Sequence, residues 1–277
     1  MSEPTLVPSG GGEIVGDSPD RRVEILSDDE TLHATWSRFG PHRNGADLHV
    51  HRHHTDLFYV LDGELTLRLG TEDKGVPVWA GTLARVPPFV VHGFRNGSDM
   101  DVRYLNFHAP GQRFADYMRA LRDGRTFFYD QHPPPPQDPR PPSNALIGGE
   151  ELIVDRPDLR LALLGDVEEI AIAEVWSEPG DFPPPHVHHR HVESYYVLEG
   201  ELTLMAAGRE IRAQPGSWVQ VPRGVPHTFA FSGDGQTRCL NLHTPGGGFG
   251  PFVRGKHQAE LEEEVAAVRA AFDQAPA

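Results

Sequence analysis

The chain has 277 residues, enough for two modest domains that each bury a core of their own. Its formal net charge of −15, with basic residues scattered rather than clustered, excludes nucleic acid and anionic membrane surfaces as partners. Cys239 is the single cysteine, which excludes an intrachain disulfide and a cysteine zinc site. Its apolar surroundings, Arg238 to Leu242, predict a buried, inert thiol. Residues 1–20 contain Gly, Pro and Ser without an apolar core, and read as a disordered tail rather than a signal peptide. No stretch reaches transmembrane length, so a cytoplasmic protein is expected.

From Val23 onward the chain runs in short alternating segments broken by Gly, Pro, Asn and Asp, such as Leu57–Leu61, Leu65–Leu69 and Val102–Phe107. That pattern predicts an antiparallel sandwich or barrel. Asp62-Gly63 and Glu199-Gly200 are hairpin signals, each followed by Glu-Leu-Thr-Leu. Both halves end alike, in Leu105–Gly111 and Leu240–Gly246, and then place Phe114 and Tyr117, or Phe249 and Phe252, at helical spacing. Prolines at 133–136, 139, 141 and 142 predict an extended strap between the halves. The tail from His257 to Gln274 reads as a helix with Leu261, Val265, Val268 and Phe272 on one face. Its stripe leaves open packing on its own domain or on a second copy in a homodimer. The expected boundaries are a tail at 1–20, a first barrel at 21–130, a linker at 131–145, a second barrel at 146–254 and a helix at 255–277.

The most telling feature is a spacing written twice. His49, His51, Asp56 and Gly63 recur as His186, His188, Glu193 and Gly200, each offset by 137 residues. Gly81, Pro87 and His92 recur as Gly216, Pro222 and His227, each offset by 135. A duplicated domain explains both offsets. Residues two apart on a strand share a face, so each His-x-His pair points into one barrel. Three imidazoles and a carboxylate form a mixed nitrogen and oxygen site that suits a divalent first-row metal (Mn, Fe, Co, Ni, Cu or Zn). Four protein ligands leave positions open for water, substrate or dioxygen. No nucleotide cofactor is expected. His53, His54, His189 and His191 lie between the pairs and the carboxylate, as loop residues or as groups orienting the ligands.

The second copy, from Gly180 through His186, His188, Glu193 and Gly200 and on through Gly216, Pro222 and His227, resembles the two motifs of the cupin superfamily. The likeness covers both halves and implies an all-β bicupin: two tandem jelly-roll barrels with short flanking helices. It implies His186, His188, Glu193 and His227 as metal ligands, and His49, His51, Asp56 and His92 in the first copy. Asp56 stands in place of the motif glutamate, Phe89 in place of a glycine and Phe231 in place of an asparagine. The histidine-rich loop, the double layout and the aromatic helices look similar to quercetinase-type flavonol dioxygenases. That likeness implies a small aromatic or enolic substrate and Glu193 as the catalytic base. Strand parity suggests that Tyr195 and Phe58 line the pocket, and that Arg85 and Gln220 face inward, where Arg85 would suit a carboxylate or phosphate. A redox-neutral isomerase or decarboxylase acting on a sugar or organic acid, and a non-catalytic binding cupin, remain open alternatives.

Overall fold

The structure is a computed structural model that describes residues 3–72, 74–135, 140–258 and 262–277. The chain divides into two compact units, one of residues 12–149 and the other of residues 150–277 joined by 1–11. Each unit is a jelly roll of two facing sheets, and the strand order repeats.

In the first unit the larger sheet runs in the order Leu146–Ile147, Leu83–Val86, Thr55–Asp62, Val102–Ala109, His33–Phe39, Arg21–Asp28, Glu13–Ser18. The smaller sheet is Lys74–Trp79, Glu64–Leu69, His92–Arg95. Isolated bridges His49↔His92 and Val50↔His132 extend that smaller sheet. In the second unit the larger sheet runs Thr5–Val7, Trp218–Val221, Val192–Glu199, Thr237–Thr244, Ala171–Ser177, Leu159–Asp166, Glu151–Asp155. Its smaller sheet is Arg209–Ala213, Glu201–Ala206, His227–Ser232, His186–Val187, Ala275–Pro276. The two hairpin glycines are required by geometry. Gly63 and Gly200 sit at φ of +80° and +74°, and a Cβ would lie 2.6 Å from the Asp101 oxygen or 2.7 Å from the Gln236 oxygen.

Alternation along these strands fills each barrel. Phe58, Val60, Leu65, Leu67, Ala84, Val86 and Tyr104 form part of the first core. Tyr195, Val197, Leu202, Leu204, Val219, Val221 and Cys239 form part of the second. Cys239 is fully buried, and burial raises its thiol pKa, as expected of an inert residue. Helices Phe114–Arg122 and Phe249–Gln258 follow the last barrel strands, where the aromatic spacing placed them.

Three boundaries differ from expectation. Residues 3–18 are not a loose tail: Thr5–Val7 pairs with Trp218–Val221 at the edge of the second barrel, and Glu13–Ser18 pairs with Arg21–Asp28 in the first. Backbone pairing at a sheet edge needs no apolar core, so composition missed it. The strap belongs to the first unit, through His132 on Val50, Arg140 beside Val90 and Leu146–Ile147 on Leu83–Val86. Residues 136–139 of that strap, like Met1 and Ser2, lie outside the described residues. At the C-terminus the two expected helices are Phe249–Gln258 and Glu262–Phe272, so His257 belongs to the first of them rather than opening the second. Val268 and Phe272 pack against Leu161, Leu163 and Phe252 of their own unit, and Leu261 lies outside the described residues.

His33 is buried on the strand beside the first barrel's final strand, opposite His108 and against the Phe114 ring, with neither ring nitrogen hydrogen-bonded. Burial, aided by the Arg119 and His54 charges, pushes its pKa down to about 3. The unfolded chain takes up this proton near pH 6.5 and the folded chain does not, so stability is full above that pH and falls as pH drops toward 3. At pH 5 the loss amounts to about 2 kcal/mol. Denaturant titrations of His33→Leu at pH 7 and pH 5 should show a flatter pH dependence than the parent. An unchanged slope would remove His33 from the account.

Candidate metal centres

The two His-x-His segments and the late histidines are brought together by backbone pairing. His49 and His92 exchange hydrogen bonds of 2.8 and 2.9 Å, which sets their rings 4.3 Å apart. His186 pairs with His227 and their rings are also 4.3 Å apart. The carboxylates enter from the larger sheets, Asp56 opposite Val86 and Glu193 opposite Val221. The result is two buried clusters, His49–His51–Asp56–His92 and His186–His188–Glu193–His227, with ligand atoms in each within 4.8 Å of one another.

In the first cluster Asp56 Oδ2 lies 3.2 Å from His92 Nε2 and 3.6 Å from His51 Nε2. The shorter aspartate therefore still reaches the histidines. In the second, Glu193 Oε2 lies 2.8 Å from His227 Nε2, 3.4 Å from His188 Nε2 and 3.7 Å from His186 Nε2. Burial acts to raise the Glu193 pKa, but the surrounding imidazoles outweigh it and hold the carboxyl well below the usual range. Burial acts to lower His227, but the Glu193 carboxylate outweighs it and raises the ring.

The chain fixes which nitrogen faces inward. His49, His51 and His92 donate from Nδ1 to the carbonyls of Asp47, Asp130 and Val90 at 2.6, 2.5 and 2.9 Å. His188 and His227 donate from Nδ1 to the carbonyls of Asp273 and Val225, both at 2.9 Å. A carbonyl only accepts, so each of these rings, in its neutral form, turns an Nε2 lone pair toward the cluster. His49 Nε2 and His51 Nε2 then face each other at 3.1 Å, and the buried His188 Nε2 has no hydrogen-bond partner. A shared cation satisfies both arrangements, and three imidazoles with one carboxylate fit a divalent transition metal.

Behind each carboxylate lies an asparagine and a further histidine. Asn106 donates to Asp56 Oδ1 at 2.5 Å and accepts from His108 Nε2 at 2.9 Å. Asn241 donates to Glu193 Oε1 at 2.9 Å and accepts from His243 Nε2 at 3.1 Å. Phe114 stacks on His108 and Phe249 on His243. His54 and His191 are buried beside these groups, whereas His53 and His189 are exposed.

Sequence reading missed Asp130 and Asp273. The Asp130 carboxylate accepts from the backbone of Arg52 and His53 and from His54 Nδ1, while its carbonyl holds His51. Asp273 accepts from the Arg190 backbone at 2.6 Å, and its carbonyl holds His188. The signal was present in Tyr129-Asp130-Gln131 and Phe272-Asp273-Gln274, but offset by 143 residues rather than 135 or 137. The two copies differ by one hydroxyl here. Tyr129 donates its proton between His54 Nε2 and His108 Nδ1, 3.0 and 2.8 Å away. With Phe272 in that place, His243 Nδ1 has no hydrogen-bond partner.

The pocket expectations divide. Tyr195 is fully buried, lines the second barrel's cavity and donates to Glu193 Oε1 at 2.6 Å. Phe58 does not line the first cavity; it packs in the core against Phe94 and Tyr104. Arg85 and Gln220 face away from the barrel interiors. The residues opposite the metal-cluster carboxylates are Val86 and Val221, one place before each motif proline, so Ala84 and Val219 share the inner face. Parity counted from the proline alone was off by one residue, which turns a side chain to the other face.

The cavities themselves are about 250 Å³ in the first barrel and about 190 Å³ in the second. The model of the cupin domain matches residues 35–108 and 174–243, more than half of the chain and spanning both clusters. The chain belongs to the cupin family. This cupin is 25% identical over 248 residues to quercetin 2,3-dioxygenase of Bacillus subtilis, an alignment covering 75% of this chain and 71% of that one. Its fold resembles a mutant form of the oxalate decarboxylase of Bacillus subtilis at 15% identity and a TM-score of 0.61, covering 88% of this chain and 77% of that one. It also resembles a glyoxylate-induced protein of Pseudomonas aeruginosa at 17% identity and a TM-score of 0.61, covering 88% and 90%. At those identities the two structures speak for the bicupin fold alone. Among the described residues no helix is long and apolar enough to cross a membrane.

Proposed function

We propose that this bicupin is a metal-dependent dioxygenase acting on a small aromatic or enolic molecule, with the two histidine–carboxylate clusters as metal ligands and the second barrel as the reaction site. One observation carries the reading. Glu193 turns Oε2 to the histidine cluster and Oε1 to Tyr195 and Asn241, inside a cavity walled by Phe229, Phe231, Phe249, Phe252 and Phe272. The resemblance to quercetin 2,3-dioxygenase supports it.

A divalent first-row metal, when bound, supplies open coordination positions and a path for electrons between substrate and dioxygen. The chain's own residues do the rest. The aromatic walls align a flat substrate and exclude water. Glu193, held ionised, accepts the substrate's hydroxyl proton on Oε2. Burial, with the Glu193 charge beside it, pushes the Tyr195 phenol well above its ordinary pKa. It therefore stays protonated and fixes Oε1 while Oε2 works. Oxygen uptake by metal-loaded protein over a panel of flavonols and β-diketones tests this reading. Uptake with at least one enolic substrate is expected. Turnover of an organic or sugar acid without oxygen consumption would replace the reading with a redox-neutral one.

A further inference from the structure

The two cavities descend from one duplicated barrel, yet their linings have diverged in charge. Arg21, Ser37 and Tyr104 line the first, where Leu159, Val175 and Cys239 line the second at matching places in the strand pairing. Arg21 sits opposite Phe39 at the start of its strand, with its guanidinium 5.8 Å from that ring. Its Nε is buried without a hydrogen-bond partner, and among the described residues no carboxylate pairs with it. The neighbouring Arg43 differs, since its guanidinium is engaged by Asp20 at 2.9 Å. The remaining charged group in the lining besides the histidines is Asp56, which belongs to the metal cluster at the other end of the cavity.

We propose that the first barrel binds an anionic chelate: a small molecule that presents two oxygens to the His49–His51–His92 cluster and a carboxylate to Arg21. The two barrels would then take chemically different ligands, a carboxylate-bearing one in the first and an apolar aromatic one in the second. The inference rests on the metal reading above. A guanidinium in a partly desolvated cavity favours a carboxylate in two ways: its fork of donors matches the two oxygens, and the low local dielectric strengthens the attraction. Leu159 offers neither. Lys256, the cation lining the second cavity, lies over the Phe252 ring, with its ammonium 5.9 Å from the ring centre.

The test uses two probes that share one chelating end. Comenate carries a 5-hydroxy-4-pyranone chelate with a carboxylate at the far side, and allomaltol carries a methyl there instead. Each is titrated into cobalt(II)-loaded protein while the visible spectrum of the metal is followed. Comenate should half-saturate the spectral change at a concentration about tenfold below that of allomaltol. Arg21→Met should abolish that preference with cobalt content unchanged, Arg21→Lys should recover much of it, and Lys256→Met should leave it intact. Equal affinities in the parent, or a preference that survives Arg21→Met or disappears in Lys256→Met, would overturn the assignment while leaving the metal reading standing. If neither probe altered the spectrum, the chelation reading itself would fail and this inference with it.

Discussion

Replacing Glu193 by Gln should lower oxygen-consuming turnover by about 10²–10⁴-fold while part of the metal is retained. The amide keeps the shape of the side chain, and its oxygen can still accept from Tyr195 and Asn241, which lie 2.6 and 2.9 Å from Oε1. Its nitrogen would then replace Oε2, the atom 2.8 Å from His227 Nε2, and an N–H there can neither take a substrate proton nor neutralise a cation. Asp56→Asn should change turnover much less, because the proposed reaction site is the second barrel. Oxygen uptake and metal analysis on both variants check this together. Equal losses of turnover would put chemistry in both barrels, and an unchanged rate in Glu193→Gln would remove that residue from the mechanism.

Asp130→Ala should destabilise the protein by about 3 kcal/mol and loosen the first metal centre. The carboxylate is nearly buried and gathers four donors, the backbone N–H groups of Arg52 and His53, His54 Nδ1 and His132 Nε2. Burial acts to raise its pKa, but the His54 hydrogen bond and the two backbone donors outweigh that and hold it well below the carboxylate range. Its contribution is therefore present above the unfolded carboxylate pKa and is lost as pH falls through the folded value. Without it the loop between His51 and Asp56 loses its anchor, and the carbonyl that orients His51 is free to move. Denaturant unfolding at pH 7 measures the first effect, and metal retention under chelator competition measures the second. Stability within a few tenths of a kcal/mol of the parent would mean that the anchor contributes little.

The sequence disclosed both barrels and all eight cluster residues, because ligand spacing and strand alternation are local. His49 and His51 need only one strand to share a face, and the repeat at His186 and His188 removes coincidence. The residues that went unread act across long chain separations. Asp130 and Asp273 lie after the barrel strands, in segments whose return to the site depends on helices of different length, so their offset broke the repeat. Thr5–Val7 joins a sheet formed more than two hundred residues later through backbone hydrogen bonds, which leave no side-chain signature. Arg85 and Gln220 were misassigned because parity is reliable only when counted within one paired strand. Arg21 was not singled out, since its significance lies in the cavity its guanidinium lines, which only three-dimensional structure reveals.

Metal analysis of the native protein and of two single variants tests the central claim most directly. Purified without chelators and saturated with one divalent metal, the protein should hold two equivalents per chain. His51→Ala and His188→Ala should each lose about one, and the double variant should hold essentially none. Of the two single variants, His51→Ala should leave the tighter site behind, because Glu193 Oε2 lies within 3.7 Å of all three histidine Nε2 atoms. A double variant that still bound two equivalents would contradict the account, since the duplicated histidine–carboxylate clusters would then not be the metal sites.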